Sequence, residues 1–126
     1  MNFPAELRYT SEHEWIKMEG DLAVVGITDF AQGELGDIVF VEVESIGKNI
    51  AKDGVFGTVE AVKTVSDLFL PISGEVIEFN TSLNNNPELI NTDPYGNGWV
   101  IKMKPSDLGD ISHLMDVETY KSFIAH

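Results

Sequence analysis

Residues Gly54 to Ile72 read GVFGTVEAVKTVSDLFLPI, with a single lysine, Lys63, near the middle. On both sides of it the residues alternate in the manner of β-strands, which predicts a hairpin. Successive strand side chains point to opposite faces, so Val55, Gly57, Val59 and Ala61 are expected on one face of the first arm, and Phe56, Thr58, Glu60 and Val62 on the other. Lys63 then falls at or beside the turn. The run Val62-Lys63-Thr64-Val65 contains no Gly, Asn or Pro, the residues suited to tight turns. Something other than turn propensity has fixed these residues.

Most lysines on hairpin tips only add solubilising charge. This one is framed by Glu60 and Asp67 at similar distances before and after it. An ordinary lysine is almost wholly protonated at pH 7, and nearby carboxylates favour the cation. Schiff-base lysines need the opposite surroundings, apolar or cationic. The pattern therefore describes a group acted upon by another enzyme, and not an acid, base or nucleophile in its own right.

The stretch Val59-Glu60-Ala61-Val62-Lys63-Thr64-Val65-Ser66-Asp67 resembles the lipoylation motif of the H-protein family of the glycine cleavage system. Three further stretches resemble the same family in the same order. They are Glu12-His13-Glu14-Trp15; Gly26 to Gln32 with Leu35-Gly36-Asp37; and Asp93-Pro94-Tyr95-Gly96 leading to Gly98-Trp99. The resemblance runs from about Leu7 to Ile124. It implies a mostly β, lipoyl/biotinyl-type fold, a flattened barrel or sandwich, with a short helix near residues 28–35 and C-terminal helices. It implies one lipoyl-carrier domain over residues 1–126, with a core at about 7–104 and a helical segment at about 107–125.

The same resemblance implies lipoic acid in amide linkage on Lys63, with Glu60 and Asp67 as modification context. A cleft for the loaded arm would include Glu14, Phe30 and Asp67. Family members commonly have His at the position of Phe30, so only apolar contact is expected from this side chain, and Ala61 is often Ser. The implied partners are glycine decarboxylase, aminomethyltransferase, dihydrolipoamide dehydrogenase and a lipoyl ligase or transferase. The chain itself would catalyse nothing. Rival carriers fit less well: biotinyl lysines are typically flanked by methionines, whereas Val62 and Thr64 flank Lys63. An H-like lipoate relay and an unmodified β-sandwich interaction module also stay open.

Composition narrows the partners. With 126 residues and 43% hydrophobic content, the chain suits one compact domain. Eight basic and 21 acidic residues give a net charge of -13. That excess opposes binding to nucleic acid or anionic membrane and favours partners with basic docking surfaces. There is no cysteine, so any sulfur redox chemistry must come from an attached group. No segment reads as a signal peptide or membrane span, and a cytoplasmic protein, or an organellar one after processing, is expected.

Along the chain, Glu14 to Met18 and Leu22 to Ile27 predict an opening hairpin, with Trp15 and Lys17 on one side and Ile16 and Met18 on the other. Thr28 or Asp29 can cap a short helix that Gly36 ends in a left-handed conformation. Asp37 to Glu44 predicts a strand whose core face is Val39, Val41 and Val43. Ser45 to Asn49 is expected as loop, Glu75 to Phe79 as strand, Asn80 to Pro87 as an irregular connection, and Trp99 to Met103 as the last strand. Ile111, Leu114 and Met115 suit a short helix. A second, capped by Asp116, would align Val117, Tyr120, Phe123 and Ile124, and the two would cover a sheet edge. Leu35-Gly36-Asp37-Ile38-Val39 is echoed by Ser73-Gly74-Glu75-Val76-Ile77, as in a quasi-symmetric sandwich.

No metal site is expected, because His13, His113 and His126 are far apart and none has a second ligand at suitable spacing. His13 is expected as a strand residue, and Glu12 and Glu14 as a charged strand face. No phosphate-binding loop and no Ser-His-Asp pattern is visible.

Overall fold

The computed structural model describes residues 1–125 and realises the strand pattern as two antiparallel sheets. In chain order the elements are β1 (Arg8–Tyr9), β2 (Glu14–Glu19), β3 (Leu22–Ile27), α1 (Asp29–Leu35), β4 (Ile38–Glu42), β5 (Asn49–Ile50), β6 (Val55–Ala61), β7 (Val65–Phe69) and β8 (Gly74–Phe79). There follow α2 (Ser82–Asn85), α3 (Leu89–Thr92), β9 (Ile101–Pro105), a 3-10 helix (Leu108–His113) and α4 (Val117–Ile124). One sheet has six strands in the order β1-β2-β3-β9-β8-β5, and the other has three, β4-β6-β7. Neither closes on itself, so of the two expected forms the sandwich is found.

The core lies where alternation puts it. Ile16, Val25, Val76 and Ile101 of the large sheet pack with Val41, Val59, Ala61 and Leu68 of the small one. The outer face of the large sheet buries a second cluster, Tyr9, Trp15, Val24 and Tyr120, beneath α4. Trp15 and Ile16 thus serve different cores, as strand geometry requires. Met115 pairs with edge strand β1 through Tyr9, so the C-terminal segment does cover an edge.

Two departures from the expected faces share one cause. The register shifts between Ile38 and Phe40 in β4 and between Val55 and Gly57 in β6. A bulge inserts one residue and so inverts the alternation beyond it. Ile38 and Val41 are therefore buried while Val39 is exposed, which corrects the expected Val39-Val41-Val43 face. Likewise Phe56 turns inward and Val55 outward. A third shift lies between Val76 and Glu78 in β8. In the echoed segments this is the same position as the β4 bulge, with Val39 and Ile77 the exposed residues of each. The echo is therefore structural: one copy enters each sheet and both bend alike.

Other differences are local. Asn80–Pro87 contains helix α2, fixed by buried Leu83, and Asn49 belongs to a short strand and not to loop. The last strand runs Ile101–Pro105, two residues later than expected. Ile111 lies in the 3-10 helix, but Leu114 and Met115 lie beyond it. On α4 Tyr120 is buried, whereas Phe123 is 44% exposed and leaves the expected stripe. Thr28 caps α1 by accepting from Ala31 N–H at 3.2 Å, and Asp116 caps α4 through Thr119 N–H at 2.9 Å. Gly36 ends α1 at φ 81 and ψ -155, a positive-φ conformation but an extended one, not the left-handed helical turn expected.

Candidate functional site

Lys63 stands at the β6–β7 tip and is exposed. Among the described residues its side chain makes neither an ion pair nor a hydrogen bond, so Glu60 and Asp67 frame it in sequence without contacting its amine. The tip closes by a bond from Ala61 N–H to Thr64 O at 2.8 Å, and Val62 N–H donates to Asp37 O at 3.0 Å. The second bond ties the tip to the corner between α1 and β4. A backbone held from two sides explains how a turn forms here without turn residues.

That corner is itself clamped by a residue the sequence reading passed over. Asn91, on α3, donates from Nδ2 to Gly36 O at 2.8 Å and to Gln32 Oε1 at 3.0 Å, and its Oδ1 accepts from Ile38 N–H at 2.9 Å. One amide thus satisfies the end of a helix and the start of a strand, groups that otherwise lack partners. An added Cβ on Gly36 would lie 3.4 Å from Lys63 Cε, so the lysine stem runs along this glycine. Nothing in the sequence marks Asn91 apart from the asparagines near it.

Beside the corner, between α1 and β7, lies a cavity of about 290 Å³. Its lining includes Glu14, Phe30, Leu35 and Asp67, so three residues named from sequence come together. Glu60 is not among them; it lies on the outward face of the small sheet, opposite Phe40 and Val65. A larger hollow of about 400 Å³ sits at the far end of β6 from Lys63, lined by Glu42, Glu44, Lys48 and Val55 among others. It contains no residue singled out from sequence.

Glu14 is the cavity's unusual group. It is 2% exposed, and no cation pairs with it among the described residues. Thr10 Oγ1 donates to its Oε1 at 2.7 Å, and Phe69 N–H donates to its Oε2 at 3.2 Å. Burial pushes its pKa up to about 8, against these two hydrogen bonds, which favour the carboxylate; the Glu12 and Asp53 charges push the same way as burial. The carboxyl is therefore poised near neutrality and oriented by two donors.

His13 and Glu12 are not strand residues. His13 sits in a turn at φ 69, and Glu12 is exposed there, so Glu12 and Glu14 share no strand face. The His13 ring packs 4.8 Å from Phe30, and its Nδ1 shares a 2.9 Å hydrogen bond with the Tyr120 hydroxyl, which also bonds Thr28 Oγ1 at 2.8 Å. Burial lowers the His13 pKa although Glu12 and Glu34 oppose it, and burial raises Tyr120 to about 12. Both are thus neutral near pH 7, and they lock the cavity wall to α1 and α4. The structure groups no metal-ligating side chains among the described residues; His126 lies outside them.

A family model described as glycine cleavage H-protein matches residues 7–126. A glycine cleavage system H protein of Bacteroides fragilis is 58% identical over 124 residues, covering 98% of each chain. One from Symbiobacterium thermophilum is 52% identical over 122 residues, covering 97% of this chain and 95% of that one. The crystal structure of a glycine cleavage system H protein from Mycobacterium marinum superposes with a TM-score of 0.88 at 36% identity, covering 98% of this chain and 100% of that one.

Proposed function

Since this chain belongs to the glycine cleavage H-protein family, the lipoyl carriers of the glycine cleavage system, we propose that Lys63 carries the lipoyl group in amide linkage. As a carrier subunit it works with the other components of that system. The specific partners we propose are glycine decarboxylase, aminomethyltransferase, dihydrolipoamide dehydrogenase and a lipoyl ligase or transferase, with the carrier catalysing no step. Its compartment under this proposal is the cytoplasm. Among the described residues no helix is long and apolar enough to cross a membrane.

One observation carries the reading: an exposed, unpaired lysine on a tip whose backbone is fixed from two sides, next to a cavity with a buried carboxyl and no cation. The residues fit a lipoyl group. The amine is open to an attaching enzyme, the stem lies along Gly36, the chain neighbour of Leu35 in the cavity wall, and Phe30, Leu35 and Leu68 offer apolar lining to a hydrocarbon arm. Held on Lys63, lipoate would supply a disulfide able to accept an aminomethyl group with reduction of its S–S bond, the dithiol left after transfer being the form that the dehydrogenase would reoxidise.

The chain's own part is to hold, shelter and neutralise. A fixed root limits the arm to one sphere of reach, so delivery depends on effective concentration and not on diffusion. In the cavity Glu14 faces any cationic cargo with a carboxyl already oriented by Thr10 and Phe69, whose ionisation such a cation would favour, and Asp67 among the lining residues adds a carboxylate. Amide formation removes the lysine charge, taking the formal -13 to about -14.

Lys63→Arg tests the assignment. The variant keeps a flexible cation at an exposed site and is expected to fold with an unchanged melting temperature. It should take no lipoate and support no glycine decarboxylation. Residual carrier activity above the level without protein would refute Lys63 as the attachment site.

A further inference from the structure

The sheet β4-β6-β7 turns one face to the core and the other outward. On the outward face the register aligns Phe40, Glu60 and Val65 in one row and Glu42, Thr58 and Asp67 in the next. An outward face is ordinarily polar, yet Phe40 is 49% exposed, Val65 65% and Val62, at the tip, 74%. Val39, pushed out by the bulge, adds to them at the β4 edge. Apolar side chains gathered around one spot mark an interaction surface more often than scattered ones do. Of the other exposed apolar residues, Val55 lies at the far end of β6 from the tip, and Ile46, Leu108 and Phe123 lie outside this sheet.

Charge on this face points to the kind of partner. Its charged groups are Glu42, Glu60 and Asp67, with exposed Asp37 at the adjoining corner. Among the described residues the cation at the tip end of this face is Lys63, whose charge acylation abolishes, while Lys48 lies at the far end beside Glu42 and Thr58. Around its apolar centre and tip the modified face is therefore anionic, and complements a socket that is apolar in the middle and basic at the rim. Position points the same way. The sheltering cavity lies mainly on the α1 side of β7 and shares Asp67 with this face, so an enzyme seated around Phe40 reaches the tip while leaving Glu14, Phe30 and Leu35 uncovered.

We infer that the outward face of this sheet, centred on Phe40 and flanked by Val62, Val65 and Glu60, is where the enzyme that loads the arm docks, and that acylation of Lys63 strengthens the docking. The inference rests on the carrier reading and adds a surface and its anchor to it. Phe40 supplies the buried aromatic contact typical of interface centres. The carboxylates set the approach and its salt dependence.

The test uses lipoylated wild type, Phe40→Ala, Val65→Ala and Glu60→Gln, matched for modification by intact mass, with Leu108→Ala as control. The measurement is KM and kcat for each carrier in glycine-bicarbonate exchange by the host decarboxylase, with sedimentation alongside. Phe40→Ala should raise KM about tenfold and leave kcat within about twofold. Glu60→Gln should raise KM roughly threefold and flatten its salt dependence, and Leu108→Ala should match wild type. Val65→Ala should raise KM by a smaller factor and decides the matter if Phe40→Ala fails to fold. KM unchanged in the folded face variants would overturn the inference. So would sedimentation showing that the face joins two copies of this chain. Absence of exchange with lipoylated wild type would refute the carrier reading, and this inference with it.

Discussion

Glu14 shows most sharply what one residue adds to this site. A carboxyl with its pKa raised by burial binds its proton more tightly in the folded state than in the unfolded one. Between the unfolded value near 4.5 and about 8 the folded state thus holds the extra proton, and the group's contribution to stability falls as pH rises. Glu14→Gln keeps the shape and removes the titration. Its melting temperature should gain on wild type steadily from pH 5 to pH 8.5, by an amount corresponding to on the order of a few kcal/mol at the upper end. A parallel pair of melting curves across that range would show that Glu14 does not titrate as described. The sequence made Lys63 legible because its neighbours contradict ordinary turn chemistry. Burial of Glu14 was not legible, since Glu12-His13-Glu14 reads as one alternating strand until the positive φ of His13 breaks it.

Elements were legible wherever alternation or capping acted alone, and misread wherever a bulge or a distant side chain intervened. The β2-β3 hairpin, the Thr28 cap and the Asp116 cap follow from local chemistry. The inward turn of Phe56 and outward turn of Val39 depend on bulges, which leave no fixed residue signature. The α1–β4 corner depends on Asn91, which is far away in sequence. Because three hydrogen bonds converge on that amide, Asn91→Ala should destabilise the fold by about 2 kcal/mol. It should also speed amide exchange at Ile38 and Val62, the two positions that fix the lysine's root. Urea unfolding with native-state hydrogen exchange checks both, and unchanged exchange at Val62 would show that the corner does not hold the tip.

At the scale of the molecule, two copies of one glycine-led strand, each bulged at the same position, enter opposite sheets and enclose a shared core. The echo was visible in sequence, whereas the division between sheets follows from long-range pairing that no local pattern records. Under the proposed function, the whole scaffold serves to hold the Lys63 amine outward on a fixed tip, next to a cavity that would shelter its cargo. The most direct test of that claim is the intact and peptide-mapped mass of the protein isolated from its own host. One lipoyl group per chain, on Lys63, is the predicted result. An unmodified Lys63 in cells whose other lipoyl proteins are fully loaded would contradict it.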